Sequence, residues 1–204
     1  MKKIILILLL VTSVITAQEN SEFENSKFHY GLKLGLAMST ISSDNLDRDT
    51  IDSKFGIEIG ALFSYYLNDL LTIQTELLFT QKGYVFLSSE VPDTHFTLNY
   101  LQLPITFGFK LFSEFKLYFG AYFSSFTNIW VSSSSLTYDQ ESDYEDELEP
   151  KINNFDMGGI LGFTFRGNNN ILFDFRYERS IISLYNEGDD TYSSSFKLSA
   201  AWLF

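Results

Sequence analysis

From residue 28 onward, apolar and polar side chains alternate with a period of two rather than 3.6. The first run sets Tyr30, Leu32, Leu34, Leu36 and Met38 against His29, Gly31, Lys33, Gly35 and Ala37. The fourth sets Leu101, Leu103, Ile105, Phe107, Phe109 and Leu111 against Gln102, Pro104, Thr106, Gly108 and Lys110. Comparable runs cover about 54–65, 71–82, 115–124, 156–166, 171–178 and 196–204, so the pattern predicts eight strands. Pro104 breaks its run, and the donor it lacks predicts a bulge or kink there.

The connections alternate as well. Asn68-Asp69, Ser113-Glu114 and Gly167 to Asn170 are tight hairpin turns. Ser39–Ser53, Phe86–His95, Phe126–Phe155 and Ile182–Ser193 read as long loops. An antiparallel meander puts every short turn at one end and every long loop at the other. That is the plan of an all-β, eight-stranded antiparallel up-and-down transmembrane β-barrel, with short periplasmic turns and long extracellular loops.

Alternation alone also fits a soluble barrel with its apolar face inside. Three features favour the membrane. The polar face carries Gly31, Gly35, Gly56, Gly60, Gly108, Gly120, Gly158 and Gly162, which suit a crowded narrow lumen and have no purpose on a wet exterior. The same face holds Lys33, Lys82, Lys110, Lys116, Arg166, Arg176 and Lys197 beside Glu58, Glu76, Asp156, Asp174 and Glu178. Inside a lumen such ions neutralise one another, whereas a charge facing lipid at mid-bilayer costs ~2–4 kcal/mol. Trp202 and Phe204 suit an interfacial aromatic girdle. Runs three to five exceed the ~9–11 residues that a transmembrane strand needs, so the barrel is expected to project above the outer leaflet.

Composition narrows the function classes. The chain has 204 residues, a formal charge of −12, 21 Phe, 12 Tyr, two His and no Cys. The absence of Cys excludes disulfides, thiolate metal sites and a cysteine nucleophile. The acidic balance argues against nucleic acid as a partner. Lys2 and Lys3, the apolar stretch Ile4 to Ile15 and the small residue Ala17 form the pattern of a secretory signal peptide over residues 1–17. Its removal from the 204 residues leaves 187 and, with Lys2 and Lys3 gone, a charge of −14. Residues 18–27 read as a flexible lead, and 28–204 as the barrel domain.

Tyr-Leu-Gln-Leu-Pro-Ile (100–105), Asp156-Met-Gly with Gly162, Asp174-Phe-Arg-Tyr (174–177), the signal peptide ending Ala-Gln and the aromatic carboxy terminus resemble the PorT-like outer-membrane β-barrel family. The resemblance spans roughly residues 28–204. It implies an integral outer-membrane protein of gram-negative bacteria, surrounded by outer-membrane lipid and inserted by the barrel-assembly machinery, with Phe204 resembling the terminal insertion signal. The secretion role of the family's namesake does not carry over.

Candidate chemistry is sparse. Asp139, Glu141, Asp143, Glu145, Asp146, Glu147 and Glu149 form the densest charge run, but they lack the spacing and Gly of a calcium loop and read as a solvated, mobile segment. The four loops hold 16 Asp+Glu against Arg48 and Lys151, a bias toward cationic partners. The lumen ions read as a plug of paired charges and tyrosines, with Arg176 between Asp174 and Glu178 at its centre. His29 lies at the periplasmic end. His95, with Asp93 and with Ser88 and Ser89 upstream, is the sole handle for a hydrolase. No catalytic, cofactor-binding or metal residue is assigned. The expected role is structural or protein-interacting in the envelope, with a possible envelope protein partner met through the acidic loops. A narrow ion or small-solute pore is the alternative, and an outer-membrane hydrolase comes third.

Overall fold

The computed structural model describes residues 27–43, 50–87, 93–112, 114–133, 138–167, 170–186 and 190–204. Residues 1–17, expected to be a signal peptide, and 18–26 of the expected lead therefore lie outside the described residues. Eight strands follow in order: β1 Phe28–Ser43, β2 Ile51–Tyr66, β3 Leu71–Phe86, β4 Thr94–Lys110, β5 Phe115–Ser133, β6 Phe155–Arg166, β7 Ile171–Ser180 and β8 Thr191–Leu203. One helix, α1 Tyr138–Leu148, sits between β5 and β6, followed by a 3-10 turn, Glu149–Lys151. Each strand pairs antiparallel with the next, and β8 closes on β1 from Gly31↔Leu203 to Ser43↔Thr191. Closure leaves no sheet edge at membrane depth, which lipid requires.

Local chemistry sets the periplasmic turns. The Asn68 side-chain oxygen accepts from the amides of Leu70 and Leu71 at 2.9 and 2.8 Å, closing the β2–β3 turn as an Asx turn does. Asn170 adopts φ 62°, the left-handed conformation that Asn tolerates, where the chain enters β7. Ser113 of the β4–β5 turn lies outside the described residues.

In the lower barrel the apolar face points out and the polar face in. Leu34 is 62% exposed to the bilayer side, whereas Glu58, which faces the axis, is 0% exposed. The outward apolar band on β1 runs from Phe28 to Met38, about the length of a transmembrane strand. Above it the polarity of the two faces inverts. On β1 the outward positions become Thr40 and Ser42 while Ile41 turns inward and is buried. On β4 the outward series below Tyr100 is Leu101, Leu103 and Ile105. Beyond it His95 and Thr97 face out while Phe96, Leu98 and Tyr100 face in. On β5 a bulge exchanges the two faces, so that Asn128, Trp130 and Ser132 point outward while Ile129 and Val131 are buried. The upper part is a conventional protein core because its surroundings are water, and the inversion marks where the hydrocarbon ends.

This inversion corrects the loop boundaries. Residues 39–43, 51–53, 86, 94–95, 126–133, 155 and 191–193, expected in loops, belong to strands. Apolar-outward alternation stops at the bilayer boundary, but the backbone ladder continues past it. Pro104 is a second correction, because no register shift occurs there. Thr75↔Ile105 and Leu78↔Gln102 lie on one continuous register, and the ladder skips only the two β3 positions between them. The Pro104 pairing with Tyr122 on β5 is intact, so the missing donor falls on the β3 side. The bulges lie at Ser53/Glu58 between β2 and β3, and at Asn99/Tyr100 between β4 and β5. In the latter Thr127 is the extra residue, and its hydroxyl donates to the Asn99 carbonyl at 2.8 Å.

Candidate functional site

The lumen at membrane depth is filled by one connected set of charges. On β7, Asp174, Arg176 and Glu178 are spaced by two and so share the inward face. Arg176 reaches Glu76 at 2.7 Å, Asp174 at 2.9 Å and Glu178 at 3.7 Å. Lys33 on β1 lies 3.1 Å from both Glu76 and Asp174 and 3.5 Å from Glu58. Lys197 on β8 bridges Glu58 and Glu178, each at 3.0 Å, and Lys82 on β3 meets Asp156 at 3.0 Å and Glu178 at 3.9 Å. Four cations thus face five carboxylates. Lys116, donating to the Gln74 side-chain oxygen at 3.1 Å, stands beside them as a fifth cation.

Neutral groups take up the remaining lone pairs. Tyr118 donates to Asp174 at 2.7 Å and accepts from Arg176 Nε at 3.1 Å. Gln102 donates to both Glu178 oxygens at 3.0 Å, Gln74 to Glu76 at 2.6 Å and Ser199 to Glu58 at 2.6 Å. Buried charges persist only when paired and hydrogen-bonded in this way. The lumen glycines make room for the tyrosines. Tyr118 pairs across from Gly162 and Tyr122 from Gly158. A Cβ at Gly162 would come 2.5 Å from the Tyr118 ring, and one at Gly158 would come 2.6 Å from the Tyr122 ring. The rings therefore lie over bare backbone, which shields strand glycines and holds the rings in place. Lys82 Nζ sits 4.1 Å from the Tyr122 ring centroid, a buried cation–π contact.

An apolar cap roofs this column. Ile41, Tyr84, Leu98, Tyr100, Phe126, Ile129, Val131, Ile152 and Leu184 form one buried cluster inside the extracellular end. Tyr84 stacks on Phe96 at 4.8 Å, and its hydroxyl lies 2.6 Å from that of Tyr185. Two connections enter the mouth to supply the cap. Ile152 bridges Tyr185, and the Asn153 amide donates to the Leu184 carbonyl at 2.8 Å. The Asn186 amide donates to the Lys151 carbonyl at 2.9 Å.

The acidic run is helical rather than a mobile coil. Glu141 and Glu145, four apart on one face of α1, accept from the backbone amides of Ser133 at 3.0 Å and Val131 at 2.8 Å. Those amides belong to the part of β5 that rises past the start of β6, so α1 stands where a neighbouring strand would be. Asp143, Asp146, Glu147 and Glu149 remain exposed. The Lys151 ammonium, hydrogen-bonded to Glu147 at 2.8 Å, holds that carboxyl below its usual range.

The expected lumen ions fall into two groups. Lys33, Lys82, Arg176 and Lys197 join Glu58, Glu76, Asp156, Asp174 and Glu178. Lys110 is exposed at the periplasmic end, and Arg166 reaches Tyr66 at 3.4 Å. His29 is buried at the periplasmic end, edge-on to Tyr66 at 5.0 Å. His95 and Asp93 are exposed at the opposite end, and Ser88 and Ser89 lie outside the described residues. Sequence reasoning missed the cap and the carboxylate clasp of α1. The inward-parity apolar residues Ile41 and Leu98 were the available signal for the cap, whereas Ile129 and Val131 turn inward only because the Thr127 bulge shifts the parity of β5.

A closed eight-stranded barrel, apolar outside and ion-paired inside, is an integral β-barrel of the bacterial outer membrane. The chain belongs to the outer membrane protein beta-barrel domain family, whose model matches residues 16–186. Its fold is similar to that of Neisserial surface protein A (19% identity, 87% of this chain and 97% of that one, TM-score 0.54). It is also similar to Ail, the attachment invasion locus protein of Yersinia pestis (18% identity, 88% and 100%, TM-score 0.50). No curated protein matches the chain.

Proposed function

We propose that this protein is a non-conducting, non-enzymatic barrel that anchors an acidic extracellular head in the outer membrane, where the head meets an envelope partner. The observation that carries this reading is the unbroken column of side chains from Lys33 up to the Tyr84–Tyr185 contact. Eight strands leave an interior that side chains fill, and here they fill it with mutually neutralising ions under an apolar roof. The exposed Asp143, Asp146, Glu147 and Glu149 give the head a surface that attracts cationic partners over neutral or acidic ones. The narrower PorT-like assignment, export by residues 1–17 and insertion by the barrel-assembly machinery belong to the same proposal, supported by the motifs at 100–105 and 174–177 and by the N-terminal pattern.

Planar-bilayer conductance of the refolded mature chain tests the reading. The expected result is silence under voltage. Discrete, cation-selective steps would replace it with the narrow-pore alternative. A partner held through the head is expected to co-purify from membranes with the wild type, and to be lost when the four exposed carboxylates are changed to amides. N-terminal sequencing of the exported protein is expected to begin at Gln18.

A further inference from the structure

The lipid-facing wall is not uniformly studded with large side chains. Ala61 on β2 and Ala200 on β8 lie on either side of β1, where Leu32 pairs with Ala61 and Leu34 with Ala200. With Ile59, Leu77 and Trp202 they line an open apolar groove of about 640 Å³, within the range of small-molecule sites. Its depth in the membrane follows from the aromatic belt below it. Phe28 and Tyr30 lie 6.4 Å apart and Tyr30 and Phe204 lie 5.8 Å apart, forming the periplasmic girdle at the headgroup level. The groove begins in the next row up, at Leu32 and Trp202, and so faces the hydrocarbon of the periplasmic leaflet.

Lys27 stands at the foot of the same strand. It is exposed, and its carbonyl accepts from the Tyr66 amide at 2.7 Å, so it closes the β1–β2 end. Five residues separate Lys27 from Leu32. At a strand rise of ~3.3 Å and a tilt near 40°, that is about 13 Å along the membrane normal. A phosphate at Lys27 would therefore place the acyl chains of its own molecule at the depth of the groove.

We propose that this groove is a stoichiometric site for one glycerophospholipid of the periplasmic leaflet. An acyl chain lies over Ala61 and Ala200 between Leu32 and Leu34, and the phosphodiester lies at Lys27. The inference is independent of whether the lumen conducts or the head binds a partner.

The test uses the full mature chain refolded in detergent, titrated with palmitoyl-oleoyl phosphatidylglycerol and read by native mass spectrometry. The wild type is expected to retain one lipid per chain. Ala61→Leu/Ala200→Leu, which fills the groove with side chains tolerated elsewhere on the wall, is expected to lower retention at least ten-fold with unchanged gel mobility of the folded form. Lys27→Glu is expected to lower it a few-fold, and Ala121→Leu, outward on β5, to leave it as in the wild type. Equal retention by the groove-filled variant would overturn the proposal. So would efficient disulfide dimerisation of Ala61→Cys or Ala200→Cys in vesicles, an assay free of background because the chain has no Cys. Dimerisation would assign the groove to a second copy of the barrel.

Discussion

Replacing Arg176 by Met keeps most of the side-chain length and removes the cation at the centre of the lumen network. Arg176 is 0% exposed and pairs with Glu76 and Asp174 within 3 Å and with Glu178 at 3.7 Å. Its loss leaves Lys33, Lys82 and Lys197 facing five carboxylates and strands a hydrogen bond at Tyr118. Breaking a buried pair from one side costs about 3–5 kcal/mol, mostly the penalty of the charge left behind. Equilibrium urea unfolding of the protein in phospholipid vesicles, followed by fluorescence and gel mobility, is expected to show that loss. Adding Asp174→Asn returns the ion-paired set, Lys116 aside, to one more carboxylate than cations and is expected to recover part of the loss, since the two sites are coupled. Lys151→Ala, which removes an exposed pair with Glu147, serves as the surface control and is expected to leave the midpoint in place. A wild-type midpoint for Arg176→Met would refute the reasoning that lumen charges hold the barrel together.

Two further tests read different parts of the same account. Gly162→Ala forces a methyl against the Tyr118 ring and is expected to cost about 1–3 kcal/mol by the same unfolding assay. Gly159→Ala, whose Cβ meets nothing within 4 Å on the outer wall, is expected to be neutral or to stabilise by up to about 1 kcal/mol. Glu141→Ala and Glu145→Ala remove the acceptors for the Ser133 and Val131 amides, so hydrogen exchange at those two amides is expected to accelerate about ten-fold with no change in the membrane-spanning strands.

The membrane-spanning part of the fold was legible because lipid imposes a simple rule: outward side chains between the girdles are apolar almost throughout, with Thr75, whose hydroxyl donates to the Pro104 carbonyl, as an exception, so period-two alternation persists along the strands. The same rule placed Arg176 correctly, since Asp174, Arg176 and Glu178 share a parity that cannot face lipid. On β1 and β4 reading stopped at the boundary because polarity there changes sign while parity does not, and on β5 because the Thr127 bulge shifts the parity itself. In 95–100 the even positions Phe96, Leu98 and Tyr100 become apolar just where 102–108 had been polar. Pro104 misled because a proline in a closed sheet demands a local accommodation. Two β3 positions left out of the ladder supply that accommodation as well as a bulge would. The α1 clasp was hidden for a different reason. Tyr138–Leu148 is so acidic that charge repulsion dominates any local reading, and only the tertiary arrangement reveals two β5 amides in need of acceptors.

The central claim is that one chain is built for lipid below a boundary and for water above it. The two tryptophans sit on opposite sides of that boundary, Trp202 beside Leu32 in the lipid-facing band and Trp130 on β5 above the inversion. Single-tryptophan proteins, Trp130→Phe and Trp202→Phe, would be refolded into vesicles of phosphatidylcholine brominated along the acyl chain. Bromine is expected to quench Trp202 and to leave Trp130 unquenched, with Trp130 open instead to aqueous acrylamide. Strong bromine quenching of Trp130 would place the upper strands in hydrocarbon and contradict the account.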